Sequence, residues 1–197
     1  MNHLSLFCLL LFLVACKKIP SNSNPISETP NANSVSYETD IHKRYPRLWV
    51  EIALIKKDDV TIEYDPNLKN PGQGRGKNKL AISPSILTNT NLNENDLMII
   101  LWHEYGHVLD ARTDPDRSQL SNFDRNTLAE HIAFRYSVEV AINYAKSKKD
   151  FSPLAEVITN LEAREKNGSL KDPHTIAIKQ LLQEPFWQTA KEQVKNK

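Results

Sequence analysis

Hydrophobic positions recur with a helical period along most of the chain, and this pattern predicts six helices. The clearest of them begins after Asn93, where the Asn side chain and Asp96 three residues later form a capping pair. Its apolar residues share one helical face and are Leu97, Ile100, Leu101 and Val108. We expect this helix to end near Ala111 or Arg112.

The other five helices are predicted from prolines, cap residues and periodicity. A short helix begins at Pro46, although the run IALI within it could instead begin a strand. Two long helices should cover 127–146 and 153–167, the second with Ser152 as its N-cap and Gly168 just past its end. Pro173 and Pro185 should open two shorter helices.

Two short β-strands are predicted at 60–64 and 79–83, where the sequence alternates and is β-branched. The segment between them, DPNLKNPGQGRGKN, holds three of the chain's five glycines. It is not a phosphate-binding loop, because Pro71 replaces the first Gly of GxxxxGK and Asn78 follows Lys77. We therefore expect the glycines to serve turns and the two strands to pair antiparallel.

Composition narrows the possible functions. The 197 residues, 40% hydrophobic and 25% charged, suit one globular domain with a small appendage. A net charge of +1 gives no reason to expect a nucleic-acid partner. The cysteines are Cys8 and Cys16, so the body of the chain has neither a disulfide framework nor a thiolate metal site. Any metal must be held by His and carboxylate side chains.

The first residues indicate secretion and lipid attachment. Residues 4–15 carry no charge but are too few to span a bilayer, which needs about 20. A secretory signal fits this length, and LVAC at 13–16 resembles the bacterial lipobox, which implies diacylglycerol on Cys16. The alternative is a plain signal peptide with an incidental cysteine. Lys17 and Lys18 resemble the pattern that permits sorting to the outer membrane.

Three segments follow from this interpretation: a signal peptide at 1–15, a flexible tether at 16–36 and a folded domain at 37–197. The tether is rich in Ser, Asn and Pro and has almost no apolar residues to bury. We expect the mature protein to be anchored through Cys16 in the cell envelope. The periplasmic side of the outer membrane is favoured over the inner membrane.

The sequence HEYGH at 103–107 is an HExxH motif in the first long helix, and composition predicts such a match by chance at about 1%. His103 and His107 lie one turn apart, so both imidazoles can bind one zinc ion. Glu104 lies about 100° round the helix and can reach a water molecule without binding the metal. Gly106 predicts close approach by another element or by the substrate. The alternative is two histidines without a metal.

Two His ligands leave a tetrahedral catalytic zinc one protein ligand short. The metzincin pattern HExxHxxGxxH/D does not supply it, because Asp110 and Thr113 stand where that pattern requires Gly and His or Asp. Asp110 lies on the ligand face, but its short side chain should not reach the same metal. It would instead orient a ligand, cap the helix end or be solvated.

The second long helix supplies the third-ligand candidates Glu130 and Glu139, which are nine residues apart and so lie on opposite faces. The face of Glu130 is mostly small and apolar and should be buried; it carries Ala133, Phe134, Ser137, Ala141 and Tyr144. Glu139 has Arg135 four residues before it, which is typical of an exposed pair. Glu130 is therefore the predicted ligand. The alternatives are His131 and a purely structural buried carboxylate at Glu130.

HEYGHVLD, followed about two dozen residues later by AEHIAFRYSVEVA, resembles the gluzincin branch of zinc metallopeptidases. The resemblance implies an α+β, zincin-like domain with a small antiparallel sheet, a central HExxH helix and packed helices. It implies that zinc activates a water molecule, and that Glu104 takes its proton and passes it to the leaving amine. The strand ending in LAISPSIL is similar to the edge strand that pairs with substrate.

The family also implies an oxyanion stabiliser, for which His174 is the candidate, although a surface His is the preferred interpretation of that residue. The expected function is hydrolysis of peptide bonds in peptides or proteins. Two alternatives stay open: a non-catalytic binding or assembly module on the same fold, and a zinc amidase acting on peptidoglycan peptides. The sequence predicts no oligomeric state.

Overall fold

A computed structural model describes residues 32–113 and 115–195, with side chains described from Ser36 onwards. Within these residues the chain is α+β and mostly helical, with seven α-helices and one three-stranded sheet, which confirms the predicted class. The signal peptide, Cys16 and most of the tether lie outside the described residues and stay predictions. No helix in the described part combines the length and apolar content of a bilayer-spanning segment.

All six predicted helices are present. The helices are α1 Ala32–Arg44, α2 Pro46–Lys57, α3 Glu94–Thr113, α4 Asn122–Lys148, α5 Ser152–Asn167, α6 Pro173–Gln183 and α7 Pro185–Lys195. The strands are β1 Thr61–Tyr64, β2 Gly72–Gly74 and β3 Lys79–Ile82, and a 3₁₀ turn at Pro84–Leu87 follows β3. Helix α1 was not predicted, and it begins within the segment assigned to the tether. Helix α4 begins earlier than expected, at Asn122.

The helix starts follow from local hydrogen bonds. Asn93 Oδ1 accepts from the backbone N–H groups of Asn95 and Asp96, while Asp96 Oδ2 accepts from the N–H of Asn93, as the capping pair predicts. Ser121 caps α4 in the same way through the N–H of Asp124. The prediction that Ser152 is an N-cap is wrong. Ser152 is the first residue of α5, and its N–H and hydroxyl both donate to a carboxylate oxygen of Asp150.

The predicted antiparallel pairing of the two strands is also wrong. The sheet is mixed, in the order β1-β3-β2, with β1 parallel to β3 and β2 antiparallel to it. The glycine-rich segment contains β2, which turns directly into β3 through Gly76 at φ +68°. Because β2 occupies one side of β3, β1 pairs on the other side, where it runs parallel to β3. The predicted substrate-pairing strand, β3, is therefore central, and β2 is the edge strand beside α3.

The hydrophobic core is centred on the packing of α3 against α4, with α1, α2 and the sheet contributing to it as well as α5 to α7. Gly106 allows the closest approach, since a Cβ on it would lie 2.8 Å from the Cα of Ala133. This contact confirms the close approach predicted for Gly106. The predicted buried face of α4 is likewise confirmed, because four of its five marker residues are buried and Tyr144 is half-buried. The packing of these two helices fixes where their polar residues meet.

Candidate metal centre

His103 and His107 from α3 and Glu130 from α4 converge in the core, and together they could bind a metal ion. Their ligand atoms all lie within 4.8 Å of one another. The two histidine Nε2 atoms are 3.2 Å apart. Glu130 Oε2 lies 3.2 Å from His103 Nε2, and Glu130 Oε1 lies 3.6 Å from His107 Nε2. The structure thus brings together the three residues predicted as ligands.

These separations fit a shared metal ion. Ligand atoms about 2.1 Å from a tetrahedral metal are separated from each other by about 3.4 Å. Among the described residues, Glu130 Oε2 and His103 Nδ1 are buried polar atoms that have no hydrogen-bond partner of good geometry. A buried carboxylate oxygen without a donor is costly unless another cation satisfies it. The arrangement therefore has the spacing and the unmet polar demand of a metal site.

The electrostatics of the centre also favour a cation. Burial would raise the pKa of Glu130, but the neighbouring His103 and His107 hold that pKa well below its usual range. Burial would lower the pKa of His107, but the carboxylates of Glu130, Glu104 and Asp110 raise it to about 9. Three carboxylates therefore act on the His107 imidazole, and these negative neighbours favour a positive charge at that position.

Glu104 is buried beside this cluster and is held by the sheet. Its Oε2 accepts a hydrogen bond of 2.8 Å from the backbone N–H of Gly74 in edge strand β2. A Cβ on Gly74 would lie 2.6 Å from the Glu104 carbonyl oxygen and 2.9 Å from His107 Cβ. Glycine at this position therefore lets β2 lie directly on the HExxH helix. Of the two carboxylate oxygens of Glu104, the predicted catalytic residue, Oε2 is fixed by the Gly74 N–H, and the other makes no hydrogen bond to β2.

His174 also belongs to the site, and the preferred interpretation of it as a surface residue is wrong. Its Nε2 lies 3.2 Å from Glu130 Oε1, and its Nδ1 lies 3.0 Å from Asp172 Oδ1. Asp172 caps α6 by accepting from the backbone N–H of His174, and this cap directs the ring towards α4. The Asp-Pro-His start of α6 was the only sequence signal that pointed to His174. The packing of α6 on α4 is what brings its ring to Glu130.

Asp172 is itself fixed by two neighbours. Thr175 Oγ1 donates to Asp172 Oδ2 at 3.0 Å, and Arg164 Nη2 from α5 lies 3.7 Å from the same oxygen. The Arg164 guanidinium also lies 5.8 Å from the ring centre of Phe134. Burial lowers the pKa of His174, Glu130 opposes this shift and Arg164 adds to it. Residues from α5 and α6 thus position an imidazole against Glu130.

The remaining candidates lie outside the cluster. Asp110 is nearly buried and accepts two hydrogen bonds from Arg117, at 2.8 and 2.5 Å. His131 Nε2 pairs with Glu184 at 2.8 Å on the side of α6. Glu139 pairs with Arg135 at 3.1 Å, which is the exposed contact predicted from their spacing. None of the three joins the group formed by His103, His107 and Glu130.

No family model, curated protein or solved structure matches this chain.

Proposed function

We propose that this protein is a zinc metallopeptidase of the zincin type, of the gluzincin branch, that hydrolyses peptide bonds in peptides or proteins. The observation that carries the proposal is the convergence of His103, His107 and Glu130, with the Glu104 carboxylate close enough to raise the pKa of His107. The residue that follows the first histidine is thus a carboxylate near the cluster but not part of it. This is the division between ligand and base that the HExxH motif requires.

The donor set supports zinc as the metal. Two imidazoles and one carboxylate are the ligand set of many catalytic zinc sites, which keep a fourth position for water or substrate. A bound zinc ion would polarise the scissile carbonyl and activate a water molecule for attack. His103 and His107 would bind it through Nε2, and Glu130 through the carboxylate oxygen that lacks a good donor.

Glu104 acts as the general base in this proposal. The Gly74 N–H fixes one carboxylate oxygen, so the group is held in one orientation while the second oxygen can accept a proton. The same carboxylate then gives the proton to the leaving amine. Because β2 is an edge strand lying on this residue, an extended peptide that pairs with β2 would pass the centre.

His174 holds Glu130 in this proposal. Its Nε2 faces Glu130 Oε1, the oxygen that also lies 3.6 Å from His107 Nε2, while Asp172 fixes the other side of the ring. Residues that orient a ligand in this way usually contribute about 10- to 100-fold to metal affinity or activity. This contact supports a role for His174 in positioning the ligand, in place of the oxyanion role that the family resemblance suggested.

The location of the protein is proposed from the sequence alone. We propose that Cys16 carries the lipid and that the domain is presented from the periplasmic side of the outer membrane. Several acyl chains would give stable attachment, since each buried methylene contributes about 0.8 kcal/mol. The partners are then a membrane and a peptide or protein substrate, without nucleic acid.

Glu104→Gln tests the proposed activity. Zinc-loaded wild type and variant are compared on a library of proteins, peptides and muropeptides, with zinc content and melting temperature measured in parallel. The variant should keep its zinc and its melting temperature but lose about 10²- to 10⁴-fold in rate. Equal rates in the two proteins would contradict the role of Glu104.

The zinc content of the wild type and the substrates that it cleaves from this library separate the three functional classes. Cleavage of muropeptides without cleavage of proteins or ordinary peptides would favour the peptidoglycan amidase. Zinc binding without cleavage of any substrate in the library would favour the non-catalytic binding module.

A further inference from the structure

Arg112, in the last turn of α3, ties the HExxH helix to the turn between β2 and β3. Its Nε donates to the backbone carbonyl of Lys77 at 2.7 Å. Its Nη2 donates to the backbone carbonyl of Asp58 at 2.6 Å, and its Nη1 donates to the Asp58 carboxylate. Asp58 is the C-cap of α2. One guanidinium therefore joins α3, the end of α2 and the β2–β3 turn.

Asp58 is held from a second point on the same helix. Tyr105 lies seven residues before Arg112, on the same face of α3, and its hydroxyl donates to Asp58 Oδ2. The Tyr105 ring packs edge-on against the Tyr136 ring of α4, with 5.7 Å between the ring centres. The hydrogen bonds from Tyr105 and Arg112 lower the pKa of Asp58, so its carboxylate is ionised at neutral pH. The partner that anchors Arg112 is thus itself bound to α3.

The β2–β3 turn leads directly to the Glu104 carboxylate. The Arg75 N–H donates to the Lys79 carbonyl at 2.8 Å, and this bond closes the turn. The Lys77 carbonyl lies inside the turn, and Gly74 directly precedes it. Gly74 donates its N–H to Glu104 Oε2 and packs against the Glu104 backbone. A retreat of the turn from α3 would therefore take this donor away from Glu104.

We propose that Arg112 is a positioning residue for the reaction: it seats the β2–β3 turn on α3 and thereby keeps the Gly74 N–H on Glu104. The inference rests on the proposed function, because it takes Glu104 as the general base. Arg112 bonds to Asp58 and Lys77, so its effect on Glu104 passes through the backbone of the turn. A misplacement of about 1 Å caused by a distant substitution can cost about 10²-fold in rate.

The positioning can be measured without any substrate, through the amide of Gly74. The chain has five glycines, so the zinc-loaded full chain labelled with ¹⁵N-glycine gives five amide signals whose hydrogen exchange NMR can follow. In Arg112→Gln the Gly74 amide should exchange about tenfold faster than in wild type, because local opening of the turn becomes easier. Gly168 donates its N–H to the Arg164 carbonyl at the end of α5 and should keep its exchange rate.

The effect on the reaction is measured as kcat and KM on a peptide that the wild type cleaves. Arg112→Gln should lower kcat about 10- to 100-fold with little change in KM, because Glu104 acts in the chemical step. Its zinc content should equal that of the wild type. Arg112→Lys keeps a charge beside Asp58, but its single nitrogen cannot replace the fork of three donors. Its kcat and its Gly74 exchange rate should lie between those of wild type and Arg112→Gln.

Arg47→Gln is the matched control, because Arg47 ties α2 to the opposite end of α3. It donates to the carboxylates of Glu94 and Asp150, each at 2.8 Å. This variant removes the same charge and should leave both kcat and the exchange of Gly74 unchanged.

Three results would overturn the proposal. They are equal exchange of Gly74 in wild type and Arg112→Gln, the same acceleration in Arg47→Gln, and faster exchange in Arg112→Gln with an unchanged kcat. If Gly74 responds as expected but the wild type cleaves no substrate, the proposed function is wrong, and the exchange data still show that Arg112 holds Gly74 on Glu104.

Discussion

His174 Nε2 lies 3.2 Å from Glu130 Oε1, so a histidine from α6 contacts the only carboxylate among the three candidate metal ligands. The His174 ring is fixed on its other side by Asp172, which Thr175 and Arg164 contact in turn. The orientation of Glu130 therefore depends on packing between three helices. The zinc affinity of the proposed site should therefore depend on residues that do not bind the metal.

Replacing His174 should weaken metal binding without removing a ligand. We expect His174→Ala to lower zinc affinity about 10- to 100-fold, because Glu130 loses the contact that orients it. His174→Gln should recover part of the loss, since its amide nitrogen can donate to the same oxygen. Zinc affinity is measured by competition with a chelator of known affinity.

His131→Gln is the matched control, because His131 is also half-buried but pairs with Glu184 away from the centre. It should change stability more than zinc affinity. Equal zinc affinities in wild type and His174→Ala would show that His174 does not position Glu130.

Gly106→Ala tests the contact between α3 and α4. Helix propensity alone predicts stabilisation by about 1 kcal/mol. The structure predicts the opposite, since the new Cβ would lie 2.8 Å from the Ala133 Cα and would force the helices apart, at a cost of about 1–3 kcal/mol. Urea unfolding of wild type and Gly106→Ala shows whether the substitution raises or lowers the free energy of unfolding. A more stable variant would contradict the helix packing described above.

The buried Glu51 should make stability depend on pH. It accepts a hydrogen bond of 2.9 Å from Trp102 Nε1. Burial raises its pKa above the usual 4.5, although Trp102 and Lys148 oppose the shift. The ionised carboxylate therefore destabilises the folded state as pH rises above 4.5, and below that pH the residue is neutral in both states. Glu51→Gln keeps an acceptor for Trp102 and should be the more stable protein at pH 7 but not at pH 4.

Urea unfolding at both pH values measures the difference, with Glu139→Gln as an exposed control. If Glu51→Gln changed the free energy of unfolding equally at pH 4 and pH 7, ionisation of Glu51 would not be the cause.

The lipid anchor is tested by metabolic labelling in cells. A clickable fatty acid should label the wild type and not Cys16→Ser, because the thiol is the site of acylation in the lipobox interpretation. Fractionation of the envelope then shows whether the labelled protein is in the outer membrane. Equal labelling of the two proteins would refute attachment at Cys16.

Strong local signals in the sequence predicted most of the helices and the three clustered residues. Capping at Asn93 and the prolines at 46, 173 and 185 fixed helix starts, and the nine-residue spacing of Glu130 and Glu139 separated their faces. These features depend on neighbours in the chain, so they can be read without the fold. The helical spacing of the apolar residues on α4 then indicated that Glu130, and not Glu139, faces the core.

The features that the sequence did not reveal depend on contacts between distant segments. Strand β2 is Gly-Gln-Gly, which has no alternating pattern, and without it β1 and β3 look like the two arms of a hairpin. The contact of His174 with Glu130 joins residues 44 positions apart and arises from the packing of α6 on α4. Helix α1 begins in a polar segment that favours a tether by composition.

We propose above all that His103, His107 and Glu130 together bind one zinc ion. The most direct test of this proposal is the zinc content of the purified full chain after dialysis, measured by mass spectrometry for wild type and single variants. Wild type should hold one zinc per chain, and His103→Ala or His107→Ala should hold almost none, because affinity depends on ligand count and geometry.

The matched pair in this measurement is Glu130→Gln and Glu139→Gln. These remove the same charge from opposite faces of α4, one buried in the cluster and one exposed beside Arg135. We expect Glu130→Gln to lose zinc and Glu139→Gln to keep it in full. Full zinc content in Glu130→Gln with loss in Glu139→Gln, or no zinc in the wild type, would show that these three residues do not bind zinc.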